Sequence, residues 1–73
     1  MSGMGNERVV EAVVTVIIEE FELVHLEAPG DLTLSIGELT PGVQWQDLRV
    51  GQRLRCRIEG VHATRVLHAE VIS

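Results

Sequence analysis

Three arginines occupy every second position of one short segment, and this spacing is the strongest chemical signal in the chain. Arg53, Arg55 and Arg57 alternate with apolar residues in "RLRCRIE", and successive side chains of a strand point to opposite faces. A guanidinium group can bind a phosphate or a carboxylate through two parallel hydrogen bonds. The segment therefore predicts an arginine ladder on one face of a strand, with Arg49 preceding it and Arg65 on the adjoining strand.

This arginine ladder has three competing interpretations. In the first, Arg49, Arg53, Arg55, Arg57 and Arg65 bind single-stranded RNA or DNA. In the second, the arginines pair with glutamates of the acidic first strand, for which the candidates are Glu11 and Glu19, because opposite charges on neighbouring strands stabilise a sheet. In the third, they bind an acidic protein partner.

The charge of the chain is unevenly distributed. The net charge is −5 and all six basic residues are arginine. Residues 1–47 hold one arginine and nine acids, a balance of −8, whereas residues 48–73 hold five arginines and two acids, a balance of +3. An acidic chain without lysine is not a strong non-specific polyphosphate binder. Only a local basic stripe remains compatible with nucleic-acid binding.

Residues suited to catalysis or metal binding are few. Cys56 is the single cysteine, which excludes an internal disulfide and a multi-cysteine zinc site, and its alternation with Leu54 and Ile58 predicts that it is buried. His25, His62 and His68 have spacings that fit no compact metal motif. We therefore expect no enzymatic activity, no metal and no cofactor.

The rest of the chain predicts an all-β fold. Five segments are rich in branched or alternating apolar residues, namely 9–21, 22–28, 32–36, 53–59 and 63–72. "PGD" at 29–31 is typical of a hairpin turn, and residues 37–52 predict an irregular bridge with one helical turn around "VQWQDL". Residues 1–8 form a leader before a single domain, 9–73. Five short antiparallel strands of this kind fit a small closed barrel of the OB type.

The first strand and the bridge carry candidate partner-binding residues. Apolar residues fall on both parities of the first strand: Val10, Ala12, Val14, Val16 and Ile18 on one, and Val9, Val13 and Ile17 on the other. Such a strand is either covered on both faces or bends to serve two sheets. We therefore expect a surface at Val9, Val13 and Ile17 that is either covered by the bridge or forms a homodimer face. We expect Trp45 either to cap the open end of the barrel or to anchor a partner.

The stretch "DLRVGQRLRCRIEG" followed by "ATRVLHAEVI" resembles the end of cold-shock domains and related RNA-binding barrels. The similarity lies in a leucine, a glycine turn, an alternating strand and a last strand with Ala and Val, here Leu48, Gly51, Gln52, Ala69 and Val71. The resemblance implies an OB-type scaffold that binds single-stranded nucleic acid. Those domains stack bases on aromatic residues of the second and third strands. The corresponding outward positions here are Leu23, His25, Glu27, Thr33 and Ser35.

These observations predict a non-enzymatic OB-fold binding module that binds single-stranded nucleic acid weakly through its arginines. The main alternative is a protein-interaction or self-associating module without nucleic-acid affinity, and a small-ligand barrel is a third. The longest apolar run, "AVVTVII", is shorter than the roughly 20 residues that span a bilayer, and acidic residues on both sides of it do not fit a signal peptide. We therefore expect a soluble, cytoplasmic protein.

Overall fold

The computed structural model describes residues 7–60 and 65–73. Its five strands are β1 (Arg8–Ile18), β2 (Leu23–Ala28), β3 (Leu32–Gly37), β4 (Arg53–Glu59) and β5 (Arg65–Val71). Single 3₁₀ turns cover Glu19–Phe21, between β1 and β2, and Trp45–Asp47, in the bridge between β3 and β4. The helical turn predicted in the bridge is confirmed. In the described ranges no helix is long and apolar enough to cross a membrane.

All five strands belong to one antiparallel sheet in the order β3-β2-β1-β4-β5. The sheet curls into a half-barrel, so that β3 and β5, at its two edges, come within 8 Å of each other between Cα atoms. The predicted all-β, five-stranded antiparallel fold is confirmed. The predicted hairpin is also present as β2 and β3, with Gly30 and Asp31 at positive φ in its turn.

The hydrophobic core fills the inner face of the curled sheet. It is aliphatic, and among the described residues no charged or polar residue is buried in it. The buried residues are Ala12, Val14, Val24, Leu26, Ala28, Leu34, Ile36, Leu48, Leu54, Cys56, Ile58 and Ala69. Because β2, β3 and β4 alternate regularly, each contributes every second residue to this core. Their other side chains therefore form the outer face of the sheet.

A β-bulge divides β1 into two halves. The register of β1 against β2 shifts between Val14 and Val16, so that Thr15 is the extra residue, and its Oγ1 donates a hydrogen bond to the His25 carbonyl at 3.2 Å. An extra residue reverses which side chains point inward beyond it. Val14 is accordingly buried, Val16 is exposed and Ile17 packs against the core. The bulge changes the inward-facing parity within one sheet, so β1 does not serve two sheets, and the expected grouping of Val16 with Val14 is wrong.

The bridge packs along the outer edge of β5. The backbone N–H of Ala69 donates to the Pro41 carbonyl at 3.1 Å. Gly42 follows at φ +94°, and a Cβ at this position would lie 2.1 Å from the Ala69 carbonyl oxygen and 2.7 Å from Nε2 of His68. Glycine is therefore required here both by its backbone conformation and by the close approach of β5.

Candidate interaction surface

The arginine ladder lies on the outer face of β4. Arg53, Arg55 and Arg57 are exposed, while Leu54, Cys56 and Ile58 between and after them are fully buried. The alternation predicted from the sequence is thus confirmed residue by residue along this strand. The turn that leads into β4 contains Gly51 at φ +93°, as the glycine turn of the sequence predicts.

Three arginines form ion pairs on the surface. Arg55 Nη1 lies 3.2 Å from Glu70 Oε2, Arg57 Nε lies 3.6 Å from Glu7 Oε1, and Arg65 Nη2 lies 2.7 Å from Glu59 Oε1. The side chains of all three arginines remain half-exposed or more. Ion pairs of this kind contribute only about 0–1 kcal/mol each, so they hold the arginines loosely.

The carboxylates in these pairs differ from the expected ones. Glu11 faces Arg55 in the β1–β4 register, but the Arg55 guanidinium pairs with Glu70 of β5, which is its register partner on the other side. Glu19 lies in the turn after β1, beyond the residues that pair with β4. The expected pairs with Glu11 and Glu19 are therefore absent among the described residues, because β4 lies between β1 and β5 and only part of β1 runs beside it.

Arg49 and Arg53 occupy the N-terminal end of the ladder. Arg49 belongs to the turn before β4, where its backbone N–H donates to Oε1 of Gln52 at 3.0 Å. Both arginines are exposed, and within the described part of the chain neither has an ion-pair partner at 4.0 Å or less. These two side chains are consequently the most available cations of the five predicted site residues.

Exposed valines of β1 run along the centre of the outer face. Val9, Val13 and Val16 are 59%, 38% and 47% exposed. In register, Val13 has Glu27 on its β2 side and Arg53 on its β4 side. These valines form a row that the exposed Glu11 interrupts between Val9 and Val13, with arginines on the β4 side, and we call Val9, Val13 and Val16 the valine strip.

The predicted partner-binding residues do not all join the valine strip. Val9 and Val13 belong to it, but the bulge turns Ile17 toward the core and brings Val16 to the surface instead. This exchange could not be predicted from the sequence, since both parities of the strand are apolar. Trp45 also packs against the core from the bridge, and its buried Nε1 has no hydrogen-bond partner among the described residues.

The outer face of β2 and β3 has a different character. It presents Leu23, His25, Glu27, Thr33 and Ser35 as expected, and Ser35 Oγ lies 3.1 Å from His25 Nδ1. None of these five side chains is Phe, Tyr or Trp, and none is lysine or arginine. This part of the surface therefore lacks the stacking and basic side chains by which cold-shock domains bind nucleic acid.

Cys56 and the histidines form no reactive centre in the described chain. Cys56 is buried in the core, and burial raises the pKa of its thiol, so the reactive thiolate is disfavoured. His68 lies beside Arg57 across the β4–β5 ladder, and His62 lies outside the described residues. Across residues 7–60 and 65–73, no three His, Cys, Asp or Glu side chains are grouped as metal ligands would be.

Comparison with known proteins gives no family assignment. The chain matches no protein-family model, no curated protein and no solved structure.

Proposed function

We propose that this chain is a non-enzymatic binding module with an OB-type barrel as its scaffold. The proposal is supported by the strand order β3-β2-β1-β4-β5. In this order β1, β2 and β3 form a meander, and β1 also pairs with β4. The sheet curls so that its edge strands, β3 and β5, approach each other. Leu48 and Ala69, two residues on which the resemblance to cold-shock-type domains rests, are both buried in the core. A scaffold of this type does not specify its ligand. The side chains of the outer face are what would select one.

The ligand that this surface fits best is a protein. The observation that carries this proposal is the valine strip, three exposed β-branched side chains in the middle of the sheet rather than at its margin. Covering apolar surface contributes about 25 cal/mol per Å², and a nucleic-acid backbone has no comparable apolar surface to offer. Arginines beside an apolar centre are typical of protein interfaces.

The charges around the valine strip agree with a protein ligand. Glu7, Glu11, Glu27 and Glu70 lie among the arginines of the outer face, and such carboxylates repel phosphate. A protein partner can match both signs, since its own acidic and basic side chains can be placed opposite them. The proposal therefore names a partner with an apolar centre and mixed charges around it.

A photo-crosslinking experiment tests this proposal. A benzophenone amino acid is placed at Val13 in one variant and at Glu20, an exposed residue of the first 3₁₀ turn, in the matched control, and both are expressed in the source cells. We expect the Val13 variant to form a discrete protein adduct that Val9→Ser and Val16→Ser reduce, and the control to form none. Equal adducts from both positions, or none from Val13, would contradict the proposal.

Single-stranded nucleic acid is the second candidate ligand. The observation in its favour is that the ion pairs of Arg55, Arg57 and Arg65 are exposed and therefore weak, so that each guanidinium can exchange a carboxylate for a phosphate at small cost. Arg49 and Arg53 would bind phosphate without giving up an ion pair of the described chain.

Titration of labelled single-stranded RNA and DNA separates the two candidates. Nucleic-acid binding predicts an affinity that falls steeply between about 50 and 200 mM salt and that decreases when Arg53 and Arg55 are replaced by Ala. The valine-strip variants are the control, because they would leave such binding unchanged. No detectable binding at low salt would eliminate the nucleic-acid candidate.

A further inference from the structure

A second surface with the properties of a contact site lies at the bridge end of the molecule, away from the outer face of β4. A groove of about 740 Å³ opens between the segment after β3, the second 3₁₀ turn and the C-terminal end of β5. We call it the bridge groove. Its apolar lining consists of Leu39, Pro41, Val43, Leu48 and Val71.

The bridge groove exposes large apolar side chains beside negative charge. Leu39 is 94% exposed and Val71 is 45% exposed, while Leu48 at the same groove is buried and belongs to the core. Its two charged lining residues are Glu38 and Asp47, and both are acidic. An occupant that fits this groove must therefore bring an apolar side chain together with a positive charge.

The same chain carries such a segment immediately after the groove. The turn at residues 49–52 is held by the hydrogen bond from the Gln52 backbone N–H to the Arg49 carbonyl and by that from Gly51 N–H to the Val14 carbonyl. Val50 is 65% exposed in this turn, next to the exposed Arg49. A fixed turn that displays one apolar side chain and one cation is complementary to the bridge groove.

We infer that the bridge groove binds the Arg49–Val50 turn of a second copy of this chain. Because groove and turn adjoin at one end of the molecule, a two-fold axis between them places each Val50 in the groove of the other copy. The same axis brings each Arg49 to the Asp47 of the other copy. The contact is closed and self-complementary, as in most homodimers, and it does not depend on the proposed function of the outer face.

The dimer is expected to be weak and concentration-dependent. Stable dimers bury about 1,200–2,000 Å² in total, which is more than one groove and one turn per copy supply. Each copy also carries a net charge of −5, so the local Arg49–Asp47 attraction acts against an overall repulsion. Association is therefore expected between about 10 µM and 1 mM protein, and sedimentation velocity of the full chain over that range measures it.

Charge exchange tests the contact. Arg49→Glu and Asp47→Arg each place like charges opposite one another, and such juxtaposition is strongly unfavourable, so each variant alone should dimerise at least tenfold more weakly. An equimolar mixture of the two variants should recover the association of the unmodified chain, since every contact in the mixed dimer again joins opposite charges. Leu39→Ser should weaken the dimer without affecting the core, because this side chain is almost fully exposed.

Two control measurements keep the outcome decisive. Circular dichroism and thermal unfolding of each variant establish that it is folded, and Val13→Ser is the matched variant on the outer face. A chain that stays monomeric at 1 mM, or a dimer that both charge reversals leave unchanged, overturns the inference. A dimer lost in Val13→Ser alone overturns it as well, and would place self-association on the valine strip instead.

Discussion

The two faces of β4 differ sharply in burial and in charge. On the inner side, Leu54, Cys56 and Ile58 have no measurable exposure. On the outer side, Arg55 is half-exposed even within its ion pair. Adjacent residues of one strand thus contribute to stability by very different amounts, since burial of a large aliphatic side chain contributes about 1.5–3 kcal/mol and an exposed ion pair about 0–1 kcal/mol. The inner side therefore contributes far more to the stability of the fold than the outer side does.

The largest effect is expected from truncation on the inner side. Leu54→Ala removes a fully buried side chain and should lower the free energy of unfolding by about 2–5 kcal/mol. For a domain of 73 residues, whose total stability is on the order of 4–11 kcal/mol, this is a large fraction. Urea denaturation followed by circular dichroism measures the change, and a loss below about 1 kcal/mol would contradict the described core.

A smaller effect is expected where the bridge covers the edge of β5. Gly42→Ala places a Cβ against the Ala69 carbonyl oxygen at a backbone conformation unsuited to alanine, so it should lower the stability by about 2–3 kcal/mol. Gly51→Ala is the matched control, because Gly51 has nearly the same φ but open space around its Cβ position, and about 1 kcal/mol is expected there. Equal losses in the two variants would show that the close contact at β5 is not maintained in solution.

The pH dependence of stability sharpens the comparison at Cys56. Burial raises the pKa of this thiol above its ordinary value of 9.0, so the folded state holds the proton more tightly than the unfolded state. The resulting stabilisation is fully present below pH 9.0 and is lost as the pH rises through the folded-state pKa, by at most about 1.4 kcal/mol per pH unit.

The composition of the chain separates the titration of Cys56 from that of other side chains. The sequence has no lysine and no tyrosine, so Cys56 is its only side chain expected to titrate between about pH 8 and pH 11. Urea denaturation at pH 8 to 10.5 should show a decline that Cys56→Ala does not show. Parallel curves for both proteins would mean that the thiol is accessible to water.

The smallest effect is expected on the outer side. Arg55→Ala breaks the ion pair with Glu70 and should lower the stability by less than about 1 kcal/mol, with a difference that shrinks at high salt. The same denaturation measurement at 50 mM and 500 mM salt provides the check. A loss of 2 kcal/mol or more would show that the outer face of β4 is structural rather than available to a ligand.

The sequence was sufficient to predict the two faces of those strands in which apolar and polar residues alternate strictly. β3 and β4 carry one apolar residue in every two, so their inward and outward positions follow directly from the pattern. The inward orientation of Ile17 could not be predicted, because a run that is apolar on both parities does not reveal a bulge at Thr15. Nor could the pairing of Arg55 with Glu70 be predicted, since it depends on β4 lying beside β5. The exposure of Leu39 and Val50 depends on how the bridge lies against β5, which no local pattern specifies.

The pairing of β1 with two different strands also has a consequence for the order of folding. From Val13 onward β1 pairs with β2, only a few residues away along the chain, whereas its first half pairs with β4, as in Arg8 with Ile58 and Val13 with Arg53. Contacts between distant residues must first close a long loop, and they slow folding to milliseconds or longer. One strand is therefore divided into an early half and a late half. In stopped-flow measurements, Ile17→Val should mainly slow folding, while Val10→Ala should mainly accelerate unfolding; the reverse would mean that the barrel forms from its distant contacts first.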